Sequence, residues 1–126
     1  AMKQADCIVI GPSNPWLSVN PILSVPGMRR LIAAQDVPRV AVTPIIGGQA
    51  IKGPTTKIMK ELGLVVSLET IADYYGDVLN GFIVDQRDLT PNIKHLRVAS
   101  FDTLMDESSK RVTLAKNLLA WTRDWK

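Results

Sequence analysis

The chain has 126 residues, of which 46% are apolar and 21% charged, and its 15 Lys and Arg against 12 Asp and Glu leave a net charge of +3. That length suits one domain, and that balance supports a packed core and excludes a disordered chain. The basic excess is small, with no Lys/Arg-rich run, and no signal peptide or apolar stretch of membrane length occurs, so neither nucleic acid nor membrane is an expected partner.

Residues 6–10, DCIVI, read as a strand buried on both faces, since nothing alternates. Cys7, the one cysteine, excludes an intrachain disulfide or a cysteine-based metal site and reads as an inert buried thiol in a cytoplasmic setting. The stretch GPSNP follows. Residues 26–35 read as a helix capped by Ser24, with Pro26 in its first turn and Met28, Leu31 and Ile32 as its apolar stripe. Residues 39–43 are a second strand, followed by the loop PIIGGQAIKGP. Residues 54–62 read as a helix with Pro54 at its start and Gly63 past its end, and Ile58, Met59 and Leu62 facing the core.

Residues 64–66 are expected as a third strand, 68–75 as a helix stopped by Gly76, 82–85 as a fourth strand and 95–99 as a fifth. Residues 108–124 have the best helical periodicity: Val112, Ala115, Leu118, Leu119 and Thr122 fall on one face, with Asp106 or Ser108 available as a cap. Alternation of strands and helices implies an α/β fold of Rossmann-like type, a mostly parallel sheet with helices on both faces, over one domain spanning 1–126. The early entry into a core strand reads as a piece of a larger domain, and residues 1–2 as a remnant ahead of it.

In such sheets ligands sit beyond the carboxyl ends of the strands, where both unusual loops lie. Gly11 allows close backbone approach, Pro12 and Pro15 stiffen the loop, and Ser13 and Asn14 offer donors to a phosphate. The same residues also make an ordinary tight turn. In the second loop, Gly47, Gly48, Lys52, Gly53 and Thr55 combine glycines, a cation and a helix start, a setting for an anion. The order Lys-Gly-Pro-Thr is not that of a Walker A loop. Asp73, Asp77, Asp85 and Asp88 match no metal-ligand spacing and read as caps and surface charges, and no metal site is expected in this chain. His95 reads as a strand or solvent-facing residue, and Trp121 and Trp125 as packing.

Together, ADCIVIGPSNPWLSVNPILSVPGMRRLI, VAVTPIIGGQAIKGPTTKIMKELG and YYGDVLNGFIVD resemble the 2-phospho-L-lactate transferase family of coenzyme F-420 biosynthesis, over about residues 5 to 88. The resemblance implies transfer of a phospholactyl or phosphoenolpyruvyl group from a guanosine diphosphate ester to the hydroxyl of a deazariboflavin, with release of GMP and help from Mg²⁺. It implies that Gly11, Ser13 and Asn14 face the diphosphate, with Gly47, Gly48, Lys52, Gly53 and Thr55 opposite. Where relatives carry a basic or imidazole residue before Tyr-Gly, this chain has Tyr74. The glycine-rich loop and metal-binding aspartate of the family's N-terminal part are absent, so this is expected to be a C-terminal portion, inactive alone and prone to form homo-oligomers. A non-catalytic nucleotide- or nucleotide-sugar-binding regulator of the same superfamily, and a scaffold without ligand, remain open alternatives.

Overall fold

Three short apolar runs meet first: Ile8–Ile10 (β1), Arg39–Val42 (β2) and Gly81–Asp85 (β5). The structure, a computed structural model, describes residues 2–50, 55–123 and 125. With Arg97–Phe101 (β6) these runs form a four-stranded sheet in the order β1-β2-β5-β6, parallel throughout, with Val40 opposite Val9 and Gly81, and Phe82 opposite Val98. Between β2 and β5 lie a separate antiparallel hairpin of Ile45–Ile46 (β3) and Gln49–Ala50 (β4), then helices Thr55–Glu61 (α3) and Leu68–Tyr75 (α4).

Alternate strand residues feed two cores, as the two-residue period of a strand requires. Ala41, Phe82 and Val84 face one side, where Leu23, Ile32, Met59, Ile71 and Tyr75 cover them. These come from helices Asn20–Leu23 (α1), Met28–Ala33 (α2), α3 and α4. Val40, Val42 and Ile83 face the other side, under Leu114 and Leu118 of helix Ser108–Thr122 (α5). The expected α/β sheet with helices on both faces is therefore present.

Several local expectations need correction. Residues 64–66 form no strand. Gly63, at φ +73°, ends α3 with its own N–H on the Lys60 carbonyl and that of Leu64 on the Met59 carbonyl. The place beside β2 is taken by β5, 64–66 pairs with no strand among the described residues, and Val65 is 73% exposed. The fifth strand lies at 97–101 rather than 95–99, because β6 pairs residue for residue with β5 up to Asp85↔Phe101. His95 stands in the turn before it, exposed, at φ +73°.

The helix expected over 26–35 begins at Met28. Gly27, at φ +82°, is its cap, and Ser24 instead ends α1. A π-helical turn, Pro15–Val19, precedes α1 and was not visible in the periodicity. β1 is an edge strand, so Val9 is half exposed rather than buried on both faces. On α3 Met59 is buried, whereas Leu62, just past its end, is exposed. On α5 the buried line is Leu114, Leu118 and Thr122, spaced by four. Val112 and Leu119 face solvent, and Glu107 occupies the cap position without a side-chain bond. Asp106 pairs with Lys110 at 3.0 Å instead of capping. Trp121 and Trp125 do pack, edge to face at 4.7 Å, against the second core.

Candidate functional site at the carboxyl ends of the strands

The chain leaves β1 at Gly11, β2 at Thr43, β5 at Asp85 and β6 at Phe101, all at one end of the sheet. A cleft of about 440 Å³ opens there, lined by Pro12, Thr43, Pro44, Ile46, the run Thr103–Asp106, and Arg111 of α5. Its position is the one that parallel topology favours for a ligand.

The first loop is held by its own caps. The Asn14 carbonyl oxygen Oδ1 accepts from the N–H groups of Trp16 and Leu17 at 2.9 and 3.1 Å, which starts the π-helical turn. Its amide Nδ2 is buried without a partner among the described residues. Ser13 N–H turns back to the Gly11 carbonyl at 2.7 Å, and a Cβ on Gly11 would meet nothing within 4 Å. Trp16 stacks on Tyr74 at 5.4 Å, and the Tyr74 hydroxyl donates to Asn20 Oδ1 at 2.8 Å. The Arg29 guanidinium lies 5.3 Å from the Tyr74 ring centre and donates to the Tyr74 and Tyr75 carbonyls. The departure at Tyr74 is thus built into the packing of this loop.

In the second loop, Gly47 and Gly48 turn the β3–β4 hairpin at φ +60° and +79°, values a side chain rarely adopts. Their N–H groups both donate to the Asp88 carboxylate, at 3.0 Å each. The two amides that the sequence offered to a phosphate are therefore occupied by an acid forty residues away. Thr55 opens α3 but is only 1% exposed. Lys52 and Gly53 lie outside the described residues. The structure therefore brings Pro12, next to Gly11, into the cleft, and places Gly47 and Gly48 at the hairpin that supplies Ile46.

Asp85 reads from sequence as a surface charge, and it is fully buried. It accepts from the Thr103 N–H and hydroxyl, each at 2.9 Å, from the Arg87 N–H at 2.9 Å and from the Arg87 guanidinium at 3.0 Å. Burial pushes its carboxyl up, but the bonds from Thr103 and Arg87 outweigh that and hold it below the usual carboxylate range. Arg87 also reaches Asp102 at 3.1 Å. Asp85, Asp88 and Arg111 were missed as a group. An acid closing a buried strand was the one available signal. Arg111 sits inside an ordinary helical pattern and gave none.

The resemblance implies Mg²⁺, and the carboxylates here do not fit it. Asp85 has its oxygens filled by donors, Asp88 is committed to the glycine turn, and no three His, Cys, Asp or Glu gather among the described residues.

Fold and cleft define the class: an open parallel α/β domain, covered on both faces, with a cleft beyond its strand ends. A family model described as 2-phospho-L-lactate transferase CofD matches residues 1–119, and the chain belongs to that family. It is 42% identical over 120 residues to a 2-phospho-L-lactate transferase of Methanosarcina barkeri, covering 92% of this chain and 38% of that protein. It is 36% identical over 121 residues to the one of Methanocaldococcus jannaschii, covering 94% of this chain and 38% of that protein. A phosphoenolpyruvate transferase of Thermobifida fusca is 33% identical over 116 residues, with 91% of this chain and 35% of the relative covered. The chain thus spans under two fifths of the length of these relatives. Among the described residues no helix is long and apolar enough to cross a membrane.

Proposed function

We propose that this chain is part of a phosphodiester-forming transferase. The group carried is phospholactyl or phosphoenolpyruvyl, the donor a guanosine diphosphate ester, and the acceptor the hydroxyl of a deazariboflavin. The hydroxyl oxygen attacks the phosphorus nearer the three-carbon acid, the bond from that phosphorus to the GMP oxygen breaks, and the hydroxyl proton is lost. The observation that carries the reading is the family match over residues 1–119, in a chain whose cleft lies at the ligand end of its sheet.

Chemistry of this kind depends on positioning and charge neutralisation more than on a protein nucleophile. The part this chain plays is to hold and orient the donor in the cleft between the GPSNP loop and α5; Lys52, which lies outside the described residues, is the cation that the second loop adds by sequence. Mg²⁺ would neutralise phosphoryl charge in such a reaction, and the carboxylates among the described residues do not offer it a site. For the 126-residue chain alone no turnover is expected.

The test is an assay of the complete protein with donor, deazariboflavin and Mg²⁺, beside the same assay of this chain. The complete protein should give the phosphodiester and one GMP per turnover, and the chain alone neither. Tight nucleotide binding by the complete protein with no product at any deazariboflavin concentration would overturn the reading in favour of a regulator.

A further inference from the structure

We propose that Arg111 is the anion-binding residue of the cleft. Its guanidinium pairs with an oxyanion, phosphate or carboxylate, on a ligand whose apolar part lies against Ile46, Leu104 and Met105. This rests on the transferase reading and adds to it a contact on α5 that neither loop motif contains.

The argument begins with what the cleft has already spent. The amides of Gly47 and Gly48 are the backbone groups shaped for an anion, and both are held by the Asp88 carboxylate at 3.0 Å. A phosphate arriving there would meet a like charge and would have to break two bonds. The threonines of the cleft are committed as well: Thr43 Oγ1 accepts from the Ile45 N–H at 3.0 Å, and the Thr103 hydroxyl donates to Asp85 at 2.9 Å. Asp106 is tied to Lys110 at 3.0 Å.

What remains among the charged groups lining the cleft is Arg111, which makes no ion pair among the described residues. Its backbone is fixed in the first turn of α5, with its N–H on the Glu107 carbonyl at 3.2 Å. A guanidinium presents paired N–H donors in the geometry of a carboxylate or phosphate, so it recognises either one bidentately. Pro12, Pro44, Ile46, Leu104 and Met105 give the cleft an apolar part beside Thr43, Thr103 and Asp106, and Arg111 is exposed at its edge, open to an incoming ligand.

The experiment titrates the chain with pyrophosphate, with lactate and with GDP, and follows the Arg111 Nε–H resonance by NMR. Arg111→Gln, Arg111→Lys and Lys52→Ala are run beside the native chain. Pyrophosphate or GDP moving that resonance identifies a phosphate, and lactate moving it identifies a carboxylate. Arg111→Gln should then weaken the same ligand about 10- to 100-fold, and Arg111→Lys less, since lysine keeps the charge and loses the fork. A resonance that none of the three ligands moves, or an affinity that Arg111→Gln leaves unchanged, overturns the proposal. Loss of GDP binding in Lys52→Ala with none in Arg111→Gln leaves the transferase reading standing and removes Arg111. Loss in Arg111→Gln with none in Lys52→Ala keeps Arg111 and removes the glycine-rich loop as the phosphate site.

Discussion

Asp85, the last residue of β5, takes both the backbone N–H and the hydroxyl of Thr103, eighteen residues further on and just past the end of β6, at 2.9 Å each. Those two bonds, with three more from Arg87, set where the loop after β6 leaves the sheet, and Thr103 begins one wall of the cleft. One buried carboxylate thereby couples strand pairing to the shape of the site.

Asp85→Asn should therefore destabilise the fold by about 2–4 kcal/mol in urea denaturation, because an amide turns two donors toward N–H and O–H groups that need an acceptor. A loss below about 0.5 kcal/mol would mean that the network contributes little.

The same carboxylate predicts an acid limit. The fold favours its ionised form, so the folded state binds that proton less readily than the unfolded chain does. The contribution of Asp85 is fully present above the unfolded carboxylate pKa, roughly 4, and declines as pH falls through the lower folded value. Asp102, whose carboxyl is held down first by the Arg87 guanidinium, adds in the same direction. Thermal melts from pH 6 to the acid limit should show stability falling below about pH 4, with a shallower fall in Asp85→Asn.

The sheet was legible because its central strands are near-continuous apolar runs, and α4 because Gly76, at φ +56°, stops it; its cap, Ser67, was not read from the sequence. Residues 64–66 look the same as a strand by composition. They nevertheless pair with no strand among the described residues, with β5 in the place beside β2, and that is a tertiary fact. The glycines at 47 and 48 announced a setting for an anion, and nothing local announced that Asp88, just past β5, fills it. Asn14 announced a polar loop, and its Oδ1 proved to be spent on a helix cap.

Asp88→Ala tests that filling directly. It frees two exposed N–H groups, so amide exchange at Gly47 and Gly48 should accelerate while exchange in β2 and β5 stays unchanged. Unaltered exchange at both glycines would show that the hairpin holds its shape without Asp88.

β1 pairs only with β2 among the described residues, leaving its other edge open, and Val9 on it is 47% exposed. Open edges and exposed apolar residues favour pairing with another chain. Sedimentation of this chain should show self-association that Val9→Lys reduces. A monomer at every concentration tested would rule that out.

Two glycines make the final test of the packing. Gly81 begins β5 under the Trp125 ring, and a Cβ there would collide with that ring and come within 3.1 Å of Val40 Cγ2. Trp125 is itself held, at 4.5 Å from the Arg97 guanidinium and 4.7 Å from Trp121. Gly81→Ala should therefore push the ring out of place and cost about 1–3 kcal/mol, as overpacking of a core does. The shift should also appear as altered tryptophan fluorescence. Gly11 is the contrast: a Cβ there meets nothing within 4 Å, and its φ lies outside the left-handed region. Gly11→Ala should change stability by no more than about 0.5 kcal/mol. Because Gly11 adjoins the cleft, any effect of Gly11→Ala should fall on donor affinity. Equal stability losses in the two variants would mean that Trp125 does not pack over β5 in solution, and would remove the contact that the Gly81 prediction depends on.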